Sequence, residues 1–406
     1  MIIGILTYHA ACNFGANLQV LSTVSYFRNN GHEPIIIDWF TEELENAYRK
    51  NTQPEQFIEH LNFQKKYLPL SKRCYNDDDI IKVINENQIE AIVVGSDAVA
   101  QHHPLLSRIV FPCRKIIAIS KPTMDRMCPN PFWGSFNLKL EKKIPLIMMS
   151  VSSQNSEYKY LTRKEKNSIK DYISKFSYIS TRDEWTSKMF QYVSNKKINP
   201  TVTPDPVFAF NYNVDFQPSK EAILQKFNLP SKYYLFSFFD QKYVSVDWLS
   251  KFEELASNKG ITCVAFPFPQ GIKFKHPFKT EINIPLSPLE WYALIKYSQG
   301  YIGNNMHPIV VSLHNGIPCF SFDNYGIVKL RVFVNKNSSK IFHIMKIFGV
   351  LENHKTSSGM FYKTPTPQFV FDKLESYNSE NVLKIGNIYL TKYMGMMKNI
   401  ISTFKS

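Results

Sequence analysis

The sequence predicts an α/β fold of two Rossmann-like domains facing across a cleft, with a C-terminal helical tail. Three observations carry this expectation. Apolar, β-branched runs alternate with helical patterns from the first residues, which marks βαβ units and parallel pairing. The alternation breaks at "TVTPDPVFAF" (201–210), where two prolines flank Asp205, and then resumes. The length of 406 residues suits two domains of roughly 150–200 residues better than one core. The expected division is 1–205, 206–345 and a helical extension over 346–406 that packs back across both domains.

Each element follows in order. "IIGILTY" (2–8) reads as a buried strand and "NLQVLSTVSYFRNNGH" as a helix, with Leu18, Leu21, Val24 and Phe27 on helical spacing and Gly31 closing it. "PIIIDW" is the next strand, and "IEAIVVGSD" and "IPLIMMSVS" continue the series. In "YISTRDEW" a strand passes into a helix. Thr181 and Glu184 there have capping-box spacing, which predicts a start at about Arg182. Beyond Asp205 come "YYLFSFF", a helix near 248–256, "ITCVAFPFP" and a helix in "SPLEWYALIKYS". That last helix has Ser287 as N-cap, Pro288 at the first position and Glu290 at the third. "GYIG" then leads into "NNMHPIVVSLHNGIPCFSFD" (304–323).

The chain is 44% hydrophobic, 14% aromatic and 20% charged, which is a globular composition. No run reaches the ~18 apolar residues of a membrane span. "MIIGILTYHA" has no basic n-region and no cleavage site, so a cytoplasmic location is expected, either free or peripheral on the cytoplasmic membrane. Cys12, Cys74, Cys113, Cys128, Cys263 and Cys319 lack C-x-x-C spacing and a histidine cluster, so buried free thiols are expected rather than zinc or disulfides. The net charge of +14 points to nucleic acid, an anionic membrane face or anionic small molecules. The basic residues are scattered without stacking aromatics, which argues against nucleic acid. Neither Walker A, G-x-G-x-x-G, H-E-x-x-H nor a carboxylate-rich loop occurs, so neither a metal nor a cofactor is expected.

In open parallel sheets ligands collect beyond the carboxyl ends of the strands. His307 lies in such a loop, after Asn305 and Met306. Pro308 suits a first helical position. His307 then stands at or next to the N-cap, where free N–H groups and the helix dipole favour phosphate or carboxylate. An imidazole there also moves protons near neutral pH. The competing reading is a histidine hydrogen-bonded in a loop. Arg182 has a guanidinium suited to bidentate grip on an anion, with a salt bridge to Asp183, Glu184 or a neighbour as the competing reading. Asp97, beside Ser96, is either a helix N-cap or a general base. Asn13, Gly15 and Gln19 belong to the first βα turn, where Gly15 permits a tight turn or a close ligand approach. His314 reads as structural, and His102 and His103 as a surface loop.

Together these segments resemble the polysaccharide pyruvyl transferases. The opening (4–38) is similar in its Asn13, Phe14, Gly15, Ala16, Leu18 and Gln19. "VVGSD", "FWGSF", "IPLIMMSVS", "STRDEW", "TPDPVF" and "NNMHPIVVSLHNGIPCFSFD" follow in the family's order over roughly the first 330 residues. The resemblance implies a GT-B-like fold and transfer of the enolpyruvyl skeleton of phosphoenolpyruvate onto two sugar hydroxyls as a cyclic ketal. It implies His307 as proton donor or relay, Asp97 as proton acceptor, and Arg182 with the turn Asn305, Met306 and Pro308 as the donor site. Asn13, Gly15, Gln19 and Ser96 would bind the acceptor or line the cleft. The chain departs from the family pattern at Asn305, where an arginine is usual, and at Ala100, where a tryptophan is usual. A long stretch also separates Ala100 from Phe132, and nothing beyond about Val334 matches the family.

Two other functions share these features. A GT-B glycosyltransferase using a nucleotide-sugar has the same architecture. A glycan-binding protein without activity is consistent with the departures at Asn305 and Ala100. The expected partner is a glycan or a lipid-linked oligosaccharide. The tail "NIYLTKYMGMMKNIISTFKS", with Lys392, Lys398 and Lys405, suits a helix packed across the domains better than one lying on a membrane.

Overall fold

A computed structural model describes residues 1–113, 116–239, 243–329, 333–358 and 362–404. The first sheet contains β1 (Ile2–Leu6), β2 (Glu33–Trp39), β3 (Leu70–Cys74) and β4 (Ala91–Asp97). After a hairpin of β5 (Ile109–Cys113) and β6 (Ile116–Ile119), it continues with β7 (Leu146–Val151), β8 (Tyr178–Thr181) and β9 (Thr201–Val202). The order is β3-β2-β1-β4-β7-β8-β9, with every pair parallel. Helices cross over between these strands, so apolar residues on both faces are buried. This explains the continuous apolar runs in β4 and β7.

The second sheet contains β10 (Tyr233–Ser237), β11 (Thr262–Ala265), β12 (Thr280–Glu281), β13 (Gly300–Gly303) and β14 (Cys319–Asp323). A hairpin of β15 (Ile327–Lys329) and β16 (Phe333–Asn335) precedes β17 (His354–Thr356). The order is β12-β11-β10-β13-β14-β17, again all parallel. In each sheet the winding reverses once, between β1 and β4 and between β10 and β13. A crevice opens at the carboxyl end of such a reversal.

One apolar core runs through both halves. Phe14 packs on Trp291 at 5.3 Å between ring centroids, and Phe266 stacks on Trp291 at 6.0 Å. The shared core holds the two crevices opposite each other.

The second sheet extends past the expected limit at 345. β17 is its sixth strand, and the helix Pro367–Glu375 buries Val370, Phe371 and Leu374 beside it. Three residues reading "HKT" carry no apolar signal, so the strand was invisible in the sequence. The helix Ser379–Thr403 spans both halves. Tyr393 meets Tyr26 edge-on at 5.8 Å, its hydroxyl accepts from Asn213 Nδ2 (3.2 Å), and Met396 Sδ lies 3.4 Å from Ser180 Oγ. It also packs on the helix Met306–Asn315. The face carrying Val382, Tyr389, Tyr393, Met396, Met397 and Ile400 is therefore covered by protein, while Leu383 and Ile388 are exposed; Lys405 lies outside the described residues. No described helix is long and apolar enough to cross a membrane. The described cysteine side chains, Cys12, Cys74, Cys128, Cys263 and Cys319, are free thiols.

Candidate functional site

The helix Met306–Asn315 begins earlier than the sequence predicts. Asn305 is its N-cap, so His307 occupies the second helical position and Pro308 the third. Proline fits there because none of the first four N–H groups has a partner within the helix. The Asn305 side chain makes no capping bond and faces the cleft. The side chains of Met306 and Pro308 are buried, Met306 within the apolar core, so neither side chain offers an anion a polar group.

Gly15 is explained by His307. A Cβ at position 15 would fall 1.9 Å from Cγ of the imidazole. Gly15 lies in the first turn of the helix Phe14–Asn29, whose N-cap Asn13 accepts from the N–H groups of Gly15 (3.0 Å) and Ala16 (3.4 Å). The close approach expected at this glycine is thus made by the ring.

Gln19 extends the contact. Its Nε2 lies 3.4 Å from His307 Nε2 and donates to Asp205 Oδ2. Asp205 Oδ2 also accepts from Arg182 Nη1 (2.8 Å), and its Oδ1 accepts from the Val207 N–H (2.9 Å). Arg182 Nη2 lies 3.5 Å from Asp97 Oδ1, which accepts from the Ala98 N–H (2.8 Å). A polar chain therefore runs His307, Gln19, Asp205, Arg182, Asp97, and joins the carboxyl edges of both sheets. Asp97 holds φ at +85°, a costly conformation for a non-glycine residue that persists where surrounding contacts impose it. Gln19 Oε1, Arg182 Nε and Ser96 Oγ are buried without a partner among the described residues.

Several assignments change. Arg182 precedes the helix Glu184–Val193, whose N-cap is Asp183, accepting from the Thr186 N–H (2.8 Å). Thr181 cannot cap because it pairs in β8 with Val151 and Val202. The Arg182 guanidinium is engaged by Asp205 and Asp97, so the salt-bridge reading holds, with neighbours in space rather than Asp183 or Glu184, and the side chain does not stand open to a donor. His102 is buried, not on a surface loop: its Nδ1 accepts from the Cys128 N–H (3.0 Å) and its Nε2 meets Glu165 (3.3 Å). His314 packs edge-on to Phe208 at 6.3 Å, as a structural residue would.

Two site residues escaped the sequence. Asp205 read as part of a linker, although a carboxylate fenced by two prolines was its visible signal. Lys340 lies beyond the recognisable pattern and carried no signal. It opens the helix Lys340–Ile347, sets its ammonium 5.1 Å over the Tyr325 ring and lies in the field of Arg182, Asp97, Asp183 and Asp205.

Burial decides the charge states. It pushes His307 down to about 4, against the pull of Asp205 and Asp97. Burial also pushes Lys340 down to about 8, with Arg182 acting in the same direction. For Asp97 burial acts upward, but Arg182, Lys340 and His307 outweigh it and hold the carboxyl below its usual range. Near neutral pH the site therefore presents a neutral imidazole, an ionised carboxylate and an ammonium able to release its proton.

Burial likewise holds His60 and His314 at about 4. The unfolded chain protonates these imidazoles near pH 6.5, so between about 6.5 and 4 it binds more protons than the folded chain. Their contribution to stability is intact above about pH 6.5 and is lost as pH falls, on the order of 3 kcal/mol per imidazole below about pH 4. Scanning calorimetry is expected to show Tm falling as pH drops from about 7 to 5. A flat Tm over that range would refute the neutral buried state.

A cleft of ≈ 510 Å³ opens between the halves, lined by Asn13, Tyr48 and Arg126 on one wall and Phe268, Asn305 and Tyr325 on the other. Asn13 and Asn305 are the N-caps of the helices that carry Gly15 and His307. The cleft thus abuts the polar chain.

A model of the polysaccharide pyruvyl transferase family matches residues 13–325. No curated protein matches the chain. Among solved structures, UDP-GlcNAc 2-epimerase from Neisseria meningitidis bound to UDP-GlcNAc is similar at TM-score 0.55 and 10% identity, over 99% of this chain and 98% of that one. UDP-N-acetylglucosamine 2-epimerase from Rickettsia bellii gives 0.53 and 9%, over 100% and 97%. HepE of Anabaena in complex with UDP gives 0.50 and 8%, over 100% of both chains. At these identities the likeness shows the fold, which is GT-B-like.

Proposed function

Given that the chain belongs to the polysaccharide pyruvyl transferase family, we propose that it uses phosphoenolpyruvate to build a pyruvyl ketal on a sugar. The acceptor is a bacterial surface polysaccharide or its lipid-linked precursor, met at the inner face of the cytoplasmic membrane, and phosphate is released. The observation that best supports this reading is the buried polar chain from His307 to Asp97, set between two parallel sheets beside the ammonium of Lys340.

The methylene carbon of phosphoenolpyruvate takes up a proton, leaving an oxocarbenium-like centre at C2. Lys340, near 8, is suited to supply that proton. A sugar hydroxyl oxygen bonds to C2 and loses its proton to the neutral His307 imidazole. The bond from C2 to the phosphate oxygen breaks, and the second hydroxyl closes the ring. Of the two hydroxyl protons, one balances the proton now on the methyl group and the other leaves with phosphate. Asp97, held ionised by Arg182 and facing that guanidinium, steadies cationic charge here. Arg182 positions Asp205 and, through it, Gln19 and His307.

Thermal denaturation with phosphoenolpyruvate or with UDP- and GDP-sugars tests this reading. Phosphoenolpyruvate is expected to raise Tm, and a glycan acceptor is then expected to elicit phosphate release. Stabilisation by nucleotide-sugars alone would favour a glycosyltransferase. Glycan binding without phosphate release would favour a glycan-binding protein.

A further inference from the structure

We infer that Arg126, rather than the engaged Arg182, forms an anion site in the cleft, suited to the phosphate or carboxylate of a small ligand. Among the described residues that line the cleft, Arg126 is the one with a full charge, and no carboxylate joins it. Amide side chains add to the polar lining: Asn13 and Asn51 on its own wall, and Asn305 and Gln270 opposite.

The arginine is rigidly mounted. Asp125 is buried and its Oδ2 accepts from the Tyr8 hydroxyl (2.6 Å). Asn130 Nδ2 donates to the carbonyls of Met124 (3.1 Å) and Asp125 (2.9 Å). The guanidinium donates no side-chain hydrogen bond among the described residues. It is ion-paired with Asp125 Oδ2 at 3.9 Å from Nε, beyond hydrogen-bond length, and the side chain is 49% exposed. A half-open guanidinium over an acid-free cavity offers a bidentate fork to phosphate or carboxylate. Arg182, by contrast, already faces two carboxylates and has no net charge left to offer. This assignment rests on the proposed function only for the identity of the ligand, phosphoenolpyruvate.

Isothermal titration of the wild type, Arg126→Gln, Arg126→Lys and the double variant Arg126→Gln/Asn305→Arg tests it, with phosphoenolpyruvate and, separately, inorganic pyrophosphate. The unliganded Tm of each variant reports folding. Arg126→Gln is expected to weaken both ligands at least tenfold, by loss of one charge-assisted contact. Arg126→Lys should keep part of the affinity, and moving the charge to the opposite wall at position 305 should restore most of it. Equal affinity for phosphoenolpyruvate in the wild type and in folded Arg126→Gln overturns the site while the donor reading stands. Pyrophosphate binding that depends on Arg126, with none for phosphoenolpyruvate, upholds the site and overturns the donor reading. Binding of neither ligand to the wild type overturns both.

Discussion

His307→Ala is expected to slow phosphate release by roughly 10²–10⁴-fold while phosphoenolpyruvate still binds. That range is the usual worth of one positioned proton carrier, about 3–5 kcal/mol in barrier height. The imidazole is the titratable group that touches both the helix turn at Gly15 and the amide of Gln19. Being neutral near pH 7, it can take a hydroxyl proton without first losing one. A phosphate-release assay paired with calorimetric titration separates turnover from affinity. Turnover near the wild-type level would end the assignment, and loss of binding with turnover would recast the ring as a ligand contact. Gly15→Ala probes the same ring from the other side. Its Cβ would overlap the imidazole, so the ring must move, and overpacking of this kind commonly costs about 1–3 kcal/mol in stability.

Asp205→Ala is expected to destabilise the fold by about 3–5 kcal/mol, because removing one partner strands a buried charge. Arg182 would keep Asp97 alone, at 3.5 Å, while the Gln19 amide and the Val207 N–H would lose their acceptor. Both Asp205 and Arg182 are nearly inaccessible to solvent, so water cannot replace the carboxylate without a local opening. Denaturant unfolding gives the loss directly. Asp205→Asn, which preserves shape and some hydrogen bonding, should lose less. A change of under about 1 kcal/mol for the alanine variant would mean that the pair is screened as a surface salt bridge is.

The sequence made some of this legible and hid the rest for identifiable reasons. The Ser287 cap, Pro288 and Glu290 stand as read, since a capping box depends on neighbours a few residues apart. The same rule failed at Thr181, where strand pairing with Val151 and Val202 took precedence over the local motif. Asp205 was visible as punctuation between prolines, yet its partners Gln19 and Arg182 lie far away in the chain. Lys340 was unreadable, because nothing near it in sequence announces the carboxylates it meets in space.

By itself, then, the amino-acid order determined the alternation of strand and helix, the parallel halves and the histidine at the mouth of a strand, because these follow from periodicity, proline and glycine over short distances. The tertiary structure decided which charges face one another, that Arg182 is engaged while Arg126 stands open, and that His307 is uncharged. Those outcomes depend on burial and on residues brought together from both sheets, and pairing and solvent exclusion are properties of the packed chain rather than of any segment of it.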